Sequence, residues 1–183
     1  LDGQSIYDIP KKKLRGSIGI VLQDTVIFND TIMQNIRYGR LDATDEEVIA
    51  AAKTARVADF AEKMSDGYHT MLSEGGGNLS QGQRQLIAIA RAVLADPKIL
   101  ILDEATSSID TRTEVQIQEA MLALMKGRTS LIIAHRLSTI RDADKIVVID
   151  KGKVVEAGNH EKLLSENGAY AKLYNTQFAG IST

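Results

Sequence analysis

The sequence predicts an α/β fold whose core is a parallel sheet. Apolar runs of strand length occur at residues 99–102, 131–134 and 146–149, and a helical stretch at residues 113–125 separates the first two. Strands that are apolar throughout are buried on both faces, as in parallel sheets that helices cover on each side. The alternation of such strands with helical patterns therefore indicates a parallel α/β sheet.

The first predicted elements are a strand and a helix. Residues 17–22 are rich in β-branched side chains, which is typical of a strand, and this run ends at the polar Gln23. Thr44 and Glu47 have the spacing of a capping box, in which each side chain accepts a bond from the other residue's backbone amide. The apolar residues that follow predict a helix to about residue 56.

The clearest helix in the sequence follows Ser80. Ser80 and Gln83 repeat the capping-box spacing, and Pro97 stops the helical pattern because its ring cannot continue a helix. The apolar side chains of one predicted face are Leu86, Ile87, Ile89, Ala90, Val93 and Leu94. This periodicity predicts a helix that packs into the core.

The C-terminal part reads as a hairpin and two helices. A Lys-Gly turn at residues 151–152 joins the run at 146–149 to a hairpin strand at 153–156. Helical patterns near residues 161–164 and 169–174 complete the predicted fold.

Composition describes an ordinary globular domain and excludes several kinds of partner. The chain has 183 residues, 44% hydrophobic and 25% charged, which is enough for one core. Its net charge of -2 offers no basic field to nucleic acid or to an anionic membrane. The absence of Cys fits a reducing compartment such as the cytosol, and no apolar run approaches the roughly 18 residues of a membrane span.

Polar residues follow three predicted strands and suggest a site. Gln23, the pair Asp103 and Glu104, and His135 each come directly after an apolar run. Ligands of open parallel sheets bind at the carboxyl ends of the strands. Adjacent carboxylates there suit a Mg²⁺ ion and a general base, although a carboxylate in this position is more often a cap or turn residue.

The start of the predicted helix after Ser80 also has two interpretations. Ser80 and Gln83 satisfy the free amides of the helix N terminus, which is a structural role. The same N terminus, with Gly82 in its first turn, is a potential phosphate site because free N–H groups and the positive end of the helix dipole attract anions. Both roles are compatible.

Five motifs together resemble the nucleotide-binding domain of ABC transporters. Residues 79–83 (Leu-Ser-Gln-Gly-Gln) resemble the family's signature, residues 99–104 its Walker B strand with the catalytic Glu, and residues 107–110 its D-loop. Gln23 matches the Q-loop and His135 the switch histidine. The motifs follow one another in the family's order over nearly the whole chain. Residues 23–36 and 73–76 are similar to exporter-type members, in which they contact transmembrane helices.

The resemblance implies a role for each strand-end residue. Asp103 would hold Mg²⁺ through water, and Glu104 would be the general base for ATP hydrolysis. His135 would bridge the γ-phosphate and the opposing D-loop, and Gln23 would approach both Mg²⁺ and the attacking water.

The resemblance also implies a composite site between two subunits. Ser80, Gln81, Gly82 and Gln83, together with Asp110 of the D-loop, would bind nucleotide held by a second nucleotide-binding domain. The partners would be that second domain, in a head-to-tail homo- or heterodimer, and the transporter's transmembrane domain, without nucleic acid or direct lipid contact. The domain would lie at the cytoplasmic face of the plasma or inner membrane.

The family's fold is a P-loop NTPase-like (RecA-like) parallel sheet core with an inserted α-helical subdomain. By this resemblance, residues 1–24 and 97–183 belong to the core, and about 25–96 form the helical subdomain with the signature. The chain contains no G-x-x-x-x-G-K-[ST] motif and begins at Leu1. We expect the N-terminal β-strands and the P-loop helix to precede Leu1, so that this chain alone binds ATP poorly and is inactive.

One departure and two alternatives stay open at this point. Gln81 stands where the family usually has Gly, which is compatible with one half of an asymmetric heterodimer. A soluble ABC ATPase of translation or DNA maintenance would carry many of the same motifs. A non-catalytic interaction module would keep the fold without the chemistry, although Glu104 and His135 speak against it.

Overall fold

A computed structural model describes residues 1–22, 24–103, 109–134 and 140–179 of the protein. The chain divides into two units, Leu1–Ile133 and Ala134–Thr183. The helices and strands of the first unit are, in chain order, α1 (Lys11–Gly16), β1 (Ile18–Val21), α2 (Ile32–Arg37), α3 (Asp45–Thr54), α4 (Ala58–Ala61), α5 (Gln81–Ala95), β2 (Ile99–Asp103), α6 (Thr111–Met125) and β3 (Thr129–Ile133). Short 3₁₀ turns lie at Ile6–Asp8, Gly67–His69 and Glu74–Gly76.

A parallel sheet of order β1-β2-β3 organises the first unit. Ile20 lies beside Ile101, and Ile101 lies beside Leu131, so the strands are in close register. The strands predicted at residues 17–22 and 99–102 are confirmed. The third strand begins at Thr129, two residues before its predicted start, because Thr129 and Ser130 pair with the first two residues of β2.

The two faces of this sheet differ sharply in burial. On one face Val21, Leu100 and Leu102 are almost inaccessible to solvent. The side chains of Ile20, Leu131 and Ile133 point to the opposite face because alternate residues of a strand project to opposite sides. These three side chains are 56%, 62% and 52% exposed, respectively, so one face of the sheet is apolar and open in this chain.

Helix α5 lies at the centre of the first unit. It contacts β1 of the sheet and the helices α2, α3 and α6. The predicted apolar face of α5 is buried except for Val93, which is half-buried. Residues between the first and second strands are helical or irregular in the described part, as the prediction of a helical subdomain at about 25–96 requires, although its boundaries stay a prediction.

The capping boxes predicted from sequence are both present. In α3 the Thr44 side chain accepts from the Glu47 amide at 3.3 Å, and the Glu47 carboxylate accepts from the Thr44 amide at 2.9 Å. Helix α3 ends at Thr54, close to the predicted residue 56. Each box satisfies two N–H groups that a helix start leaves without intrahelical partners, which stabilises the start of the helix.

The connection from α5 to β2 is held by Arg128, which follows α6 in the sequence. Asp96 ends α5 in the left-handed conformation, with φ of 46°. Arg128 donates to the Asp96 carboxylate at 2.6 Å and to the Pro97 carbonyl at 3.1 Å. The hydrogen bond from Arg128 lowers the pKa of Asp96. This clamp holds the chain where it leaves α5 and enters β2.

The second unit contains a hairpin and the C-terminal helices. Its elements are β4 (Ile146–Asp150), β5 (Lys153–Gly158), α7 (His160–Ser165) and α8 (Ala169–Ala179). The predicted hairpin is confirmed, since β4 pairs with β5 in antiparallel orientation. The sequence also groups residues 146–149 with the parallel strands, but β4 has no parallel partner among the described residues. The reason is local: Lys151 and Gly152 adopt φ of 47° and 75°, and this tight reversal lays β5 beside β4.

Helix α8 is tied to the hairpin by one carboxylate. Glu156 of β5 accepts hydrogen bonds from the backbone amides of Ala169 and Tyr170 at the start of α8. Leu163 and Tyr170 are buried with Ile146 in the small core of this unit. None of the helices that the structure describes has the length and apolar character required to cross a bilayer.

The open sheet face predicts that the purified 183-residue chain associates with itself. Exposed apolar faces and strand edges promote pairing with other chains. Sedimentation should therefore show species larger than a monomer that grow with concentration. The double substitution Leu131→Lys and Ile133→Lys should shift the chain to monomer. Leu122→Lys, at an exposed apolar position on α6, serves as the control and should leave association unchanged. A wild-type chain that sediments as a monomer at all concentrations would contradict the prediction.

Candidate functional site

The N terminus of α5 carries the signature-like segment and has a capping box. The Ser80 side chain accepts from the Gln83 amide at 3.2 Å, and the Gln83 side chain accepts from the Ser80 amide at 2.9 Å. The structural role predicted for both residues is therefore confirmed. The capping box takes the amides of Ser80 and Gln83 and leaves those of Gln81 and Gly82 without an acceptor inside the helix.

This helix end has the properties of an anion site. Helix α5 is 15 residues long, and its positive dipole end lies at the exposed Ser80. Free amides and the dipole together favour a phosphate group or a carboxylate at such a position. The Ser80 hydroxyl already accepts one hydrogen bond and keeps its own hydrogen to donate to an anion.

Gly82 has a second role that the sequence did not reveal. It is buried, and a Cβ atom added to it would lie 2.2 Å from Cγ2 of Thr113 and 3.3 Å from Cγ2 of Ile109. No side-chain atom fits at such a distance, so α5 and α6 approach each other as closely as a glycine allows. Gly82 therefore fixes the packing of the two helices at this end.

Asp110 also contacts Thr113, the residue that packs against Gly82. It is the N-cap of α6, and its carboxylate accepts from the Thr113 amide at 3.0 Å. This hydrogen bond lowers the pKa of Asp110, so the carboxylate is ionised at neutral pH. Thr113 thus joins two residues that the sequence assigned to separate motifs, Gly82 of the signature and Asp110 of the D-loop. Sequence reasoning missed Thr113 because nothing in its local pattern indicates this contact.

Asp103 ends the central strand of the parallel sheet. It is half-buried and lies beside Ile133 in the register of β2 and β3. It projects to the open apolar face, the same face as Ile101, since the two residues are separated by one position along the strand. A carboxylate at the carboxyl end of a central strand has the oxygen chemistry that Mg²⁺ prefers. The described residues contain no group of three His, Cys, Asp or Glu side chains placed to hold a metal ion.

The other predicted strand-end residues lie outside the described part of the chain. Gln23, Glu104 and His135 fall in the gaps between the described ranges, as do the first residues of the D-loop-like segment. Their roles stay predictions. Of the predicted site residues that the structure describes, Gly82 at the start of α5 and Asp110 at the start of α6 are brought together through Thr113. Asp103 lies at the end of β2.

The segment before the signature is held by two side chains that the sequence analysis did not single out. Arg84 donates to the Leu79 carbonyl at 2.9 Å and to the Gly76 carbonyl at 3.3 Å. Asn78 donates to the Met71 carbonyl at 3.0 Å. Gly76 has φ of 68°, a conformation that side chains other than glycine adopt rarely. A glycine-rich segment without regular secondary structure needs polar side chains to hold its backbone. The glycine run at residues 75–77 is therefore the sequence signal that could have pointed to Asn78 and Arg84.

The chain is similar to ATP-binding proteins of ABC transporters. A family profile described as "ABC transporter" matches residues 1–107. An uncharacterised ABC transporter ATP-binding protein of Bacillus subtilis is 57% identical over 178 residues, which are 97% of this chain and 30% of that protein. An ATP-dependent lipid A-core flippase of Syntrophus aciditrophicus is 53% identical over 97% of this chain and 30% of its own length.

A solved structure shares both sequence and fold with this chain. It is described as a bacterial Atm1-family ABC exporter with ATP bound, and it superimposes with a TM-score of 0.87 at 49% identity. The match covers 96% of this chain and 31% of the exporter chain. This chain thus spans about a third of the length of the proteins that it matches.

The contact between Gly82 and Thr113 predicts a specific loss of stability. Gly82→Ala forces a methyl group against Thr113 and should lower the free energy of unfolding by about 1–3 kcal/mol, as overpacking does in closely packed regions. Thr113→Ser removes the Cγ2 methyl and should restore most of that loss when combined with Gly82→Ala. Denaturant unfolding measures both effects.

Gly16→Ala is the matched control for this substitution. A Cβ atom at Gly16 meets nothing within 4 Å, and the residue lies in α1 with ordinary backbone angles. It should leave stability unchanged or raise it slightly, because alanine favours the helix. If Gly82→Ala were equally harmless, the close approach of α5 and α6 would not be required.

Proposed function

Because the chain belongs to the ABC transporter family, whose profile matches residues 1–107, we propose that it is the greater part of the ATP-binding and hydrolysing motor of an exporter. The proposal concerns a longer protein, since the chain spans 30% of a relative that it matches at 57% identity. The exposed, capped N terminus of α5 is the observation that carries it. This helix end offers amides and a hydroxyl to a phosphate, as the signature segment of such a motor must.

The proposed arrangement assigns the anion site of α5 to a partner's nucleotide. Ser80 and the amides of Gln81 and Gly82 would bind the γ-phosphate of ATP held by a second nucleotide-binding domain, in a head-to-tail dimer. Asp110 lies at the adjoining N terminus of α6 and would belong to the same interface between the two domains. The Thr113 contact supports this grouping, because it fixes the two helix starts relative to each other.

The chain's own residues would act on the nucleotide from the end of the parallel sheet. Asp103 would hold Mg²⁺ through water, and the ion would supply positive charge that offsets the developing charge on the phosphates. Glu104 would accept a proton from the attacking water, and Gln23 would orient that water. His135 would hold the γ-phosphate in place and contact the partner's D-loop. The half-buried carboxylate of Asp103, at the end of a central strand, supports the assignment.

The relatives support transport over the alternatives. Their printed names include a lipid A-core flippase and a fatty acid ABC transporter of Mycobacterium bovis, and the similar solved structure is an exporter. None of these is a soluble ATPase of translation or DNA maintenance. We place the motor at the cytoplasmic face of a membrane, joined to a transmembrane domain that would contain the substrate pocket. Coupling would pass from ATP hydrolysis in the dimer to that domain.

The assignment of Glu104 predicts a separation of binding from turnover. In the full-length protein, Glu104→Gln removes the proton acceptor while keeping the shape of the side chain, so turnover should fall about 100-fold or more. ATP binding should remain, because the carboxylate acts on water and not on the phosphates. Phosphate release and nucleotide binding measure the two quantities. Glu119→Gln, which alters only a surface ion pair with Arg56, is the control and should keep normal turnover. Normal turnover in Glu104→Gln would assign the base to another residue.

The composite site predicts complementation between subunits. A dimer of one Ser80→Arg subunit and one Glu104→Gln subunit contains one site without either change, if each site joins Ser80 of one chain to Glu104 of the other. Such a mixed dimer, isolated with two affinity tags, should recover about half of the wild-type activity or less, while each homodimer is inactive.

A reciprocal control makes this experiment decisive. A subunit that carries both changes, paired with a wild-type subunit, places one lesion in each composite site and should be inactive. If each site belonged to one chain, this second dimer would be the active one and the first would be inactive.

A further inference from the structure

A half-buried arginine in the C-terminal half of α5 joins this helix to the segment that follows Gln23. The guanidinium of Arg91 donates from Nη1 to the Val26 carbonyl at 2.6 Å and from Nε to the Asn35 carbonyl at 2.6 Å. Its Nη2 donates to Oδ1 of Asn35 at 2.8 Å. All three acceptors lie more than 50 residues away in the sequence. One side chain thus connects α5 to both ends of the stretch 26–35.

Two aromatic rings complete the surroundings of Arg91. The guanidinium carbon lies 5.2 Å from the ring centroid of Phe28 and 5.9 Å from that of Tyr38. The two rings are themselves 4.6 Å apart between centroids. A cation over aromatic faces is stabilised by the ring quadrupoles, and more strongly when it is shielded from water.

The chemistry of Arg91 is unusual because no carboxylate balances its charge among the described residues. Burial lowers the pKa of Arg91, which shows that the cation is partly removed from water. Burial of a cation is unfavourable unless hydrogen bonds and polar groups compensate it. Backbone carbonyls and aromatic rings provide that compensation here.

Asn35 extends the same network through the segment. It is almost completely buried, and its Oδ1 also accepts from the Phe28 amide at 2.9 Å. Its Nδ2 donates to the carbonyls of Phe28 and Thr31 at 3.0 Å each. Arg91 and Asn35 together therefore fix the backbone of residues 26–35 in a single conformation against α5.

Gln23 lies close in the sequence to the residues that Arg91 holds. Gln23 is two residues after Val21, which is paired with Leu102 in the sheet, and three residues before Val26, which Arg91 holds. Gln23 is thus flanked in the sequence by a residue of the sheet and by a residue that Arg91 holds. Only three peptide bonds separate Val26 from Gln23, the residue proposed to orient the attacking water, so Arg91 would act on it through the backbone.

We propose that Arg91 is a positioning residue for ATP hydrolysis, which acts by clamping the segment after Gln23 to the helix that begins with the signature. Arg91 does not touch the nucleotide in this account; it acts through the backbone of Val26 and Asn35. The inference rests on the proposed function, since it needs hydrolysis to be measured. A residue that only stabilised the fold would alter the amount of active protein but not the turnover of the protein that remains folded.

The test is a double-mutant cycle between Arg91 and Gln23 in the full-length protein. Arg91→Lys keeps the charge but cannot reach three acceptors with a planar group. We expect kcat to fall about tenfold or more, since misplacement by an ångström has effects of this size, with KM for Mg-ATP unchanged. In a Gln23→Ala background, Arg91→Lys should reduce kcat no further, because its effect passes through Gln23. Additive losses would overturn the proposal.

Arg128→Lys is the matched control for the clamp. Arg128 also donates to a distant backbone carbonyl and to one side chain, at the C-terminal end of α5. Its substitution should lower the melting temperature but leave kcat per folded molecule unchanged. If Arg91→Lys behaves in the same way, with a lower melting temperature and normal kcat, Arg91 is structural and the proposal is wrong. A wild-type protein without ATPase activity would instead contradict the proposed function.

A second variant guards against misfolding of Arg91→Lys. Phe28→Leu keeps all three hydrogen bonds of Arg91 but removes one of its two rings, so it should fold and loosen the clamp only partly. We expect a smaller decrease in kcat, again abolished in the Gln23→Ala background. Normal kcat in Phe28→Leu, or a decrease that adds to that of Gln23→Ala, would overturn the proposal.

Discussion

The packing of α5 is the constraint on which the rest of the first unit depends. Its apolar face is buried against β1 and three other helices, so the helix cannot shift without disturbing the core. Its N terminus approaches α6 as closely as Gly82 permits, and its C-terminal connection is clamped by Arg128. A helix held at both ends and along one side behaves as a rigid element, and every candidate site residue in the described part is placed relative to it or to the sheet beneath it.

Because α5 is rigid, it holds three functional regions at fixed positions relative to one another. Its first turn presents free amides to an anion, and its middle holds the segment after Gln23 through Arg91. Its end leads directly into β2, whose last residue is Asp103. A change in the environment of the helix N terminus, such as the arrival of a partner's nucleotide, is thus connected through one element to the proposed water-orienting and metal-binding residues. Such a connection requires only that packed elements move as units.

The sequence predicted what depends on local signals. Capping boxes at Thr44 and Ser80, apolar runs of strand length and the turn at residues 151–152 are visible within a few positions, and each element appears where it was expected. The contact of Gly82 with Thr113 and the bonds of Arg91 join residues that are distant in the sequence, so no local pattern encodes them. In the sequence, Arg91 is a single polar residue within an apolar helical pattern, which is common and does not indicate a functional role. The antiparallel pairing of β4 with β5 was predictable from the turn, whereas the exposure of Leu131, Ile133 and Ile149 was not, because an apolar run does not show whether both faces of a strand are covered.

Hydrogen exchange in the full-length protein tests most directly whether α5 acts as one rigid connection. Peptides that cover residues 78–84 and 24–38 would be followed by mass spectrometry as Mg-ATP is titrated. Both peptides should gain protection together, with the same dependence on nucleotide, because nucleotide bound at the helix N terminus would restrain the segment that Arg91 holds. Protection of residues 78–84 without any change at residues 24–38, or the reverse, would contradict it.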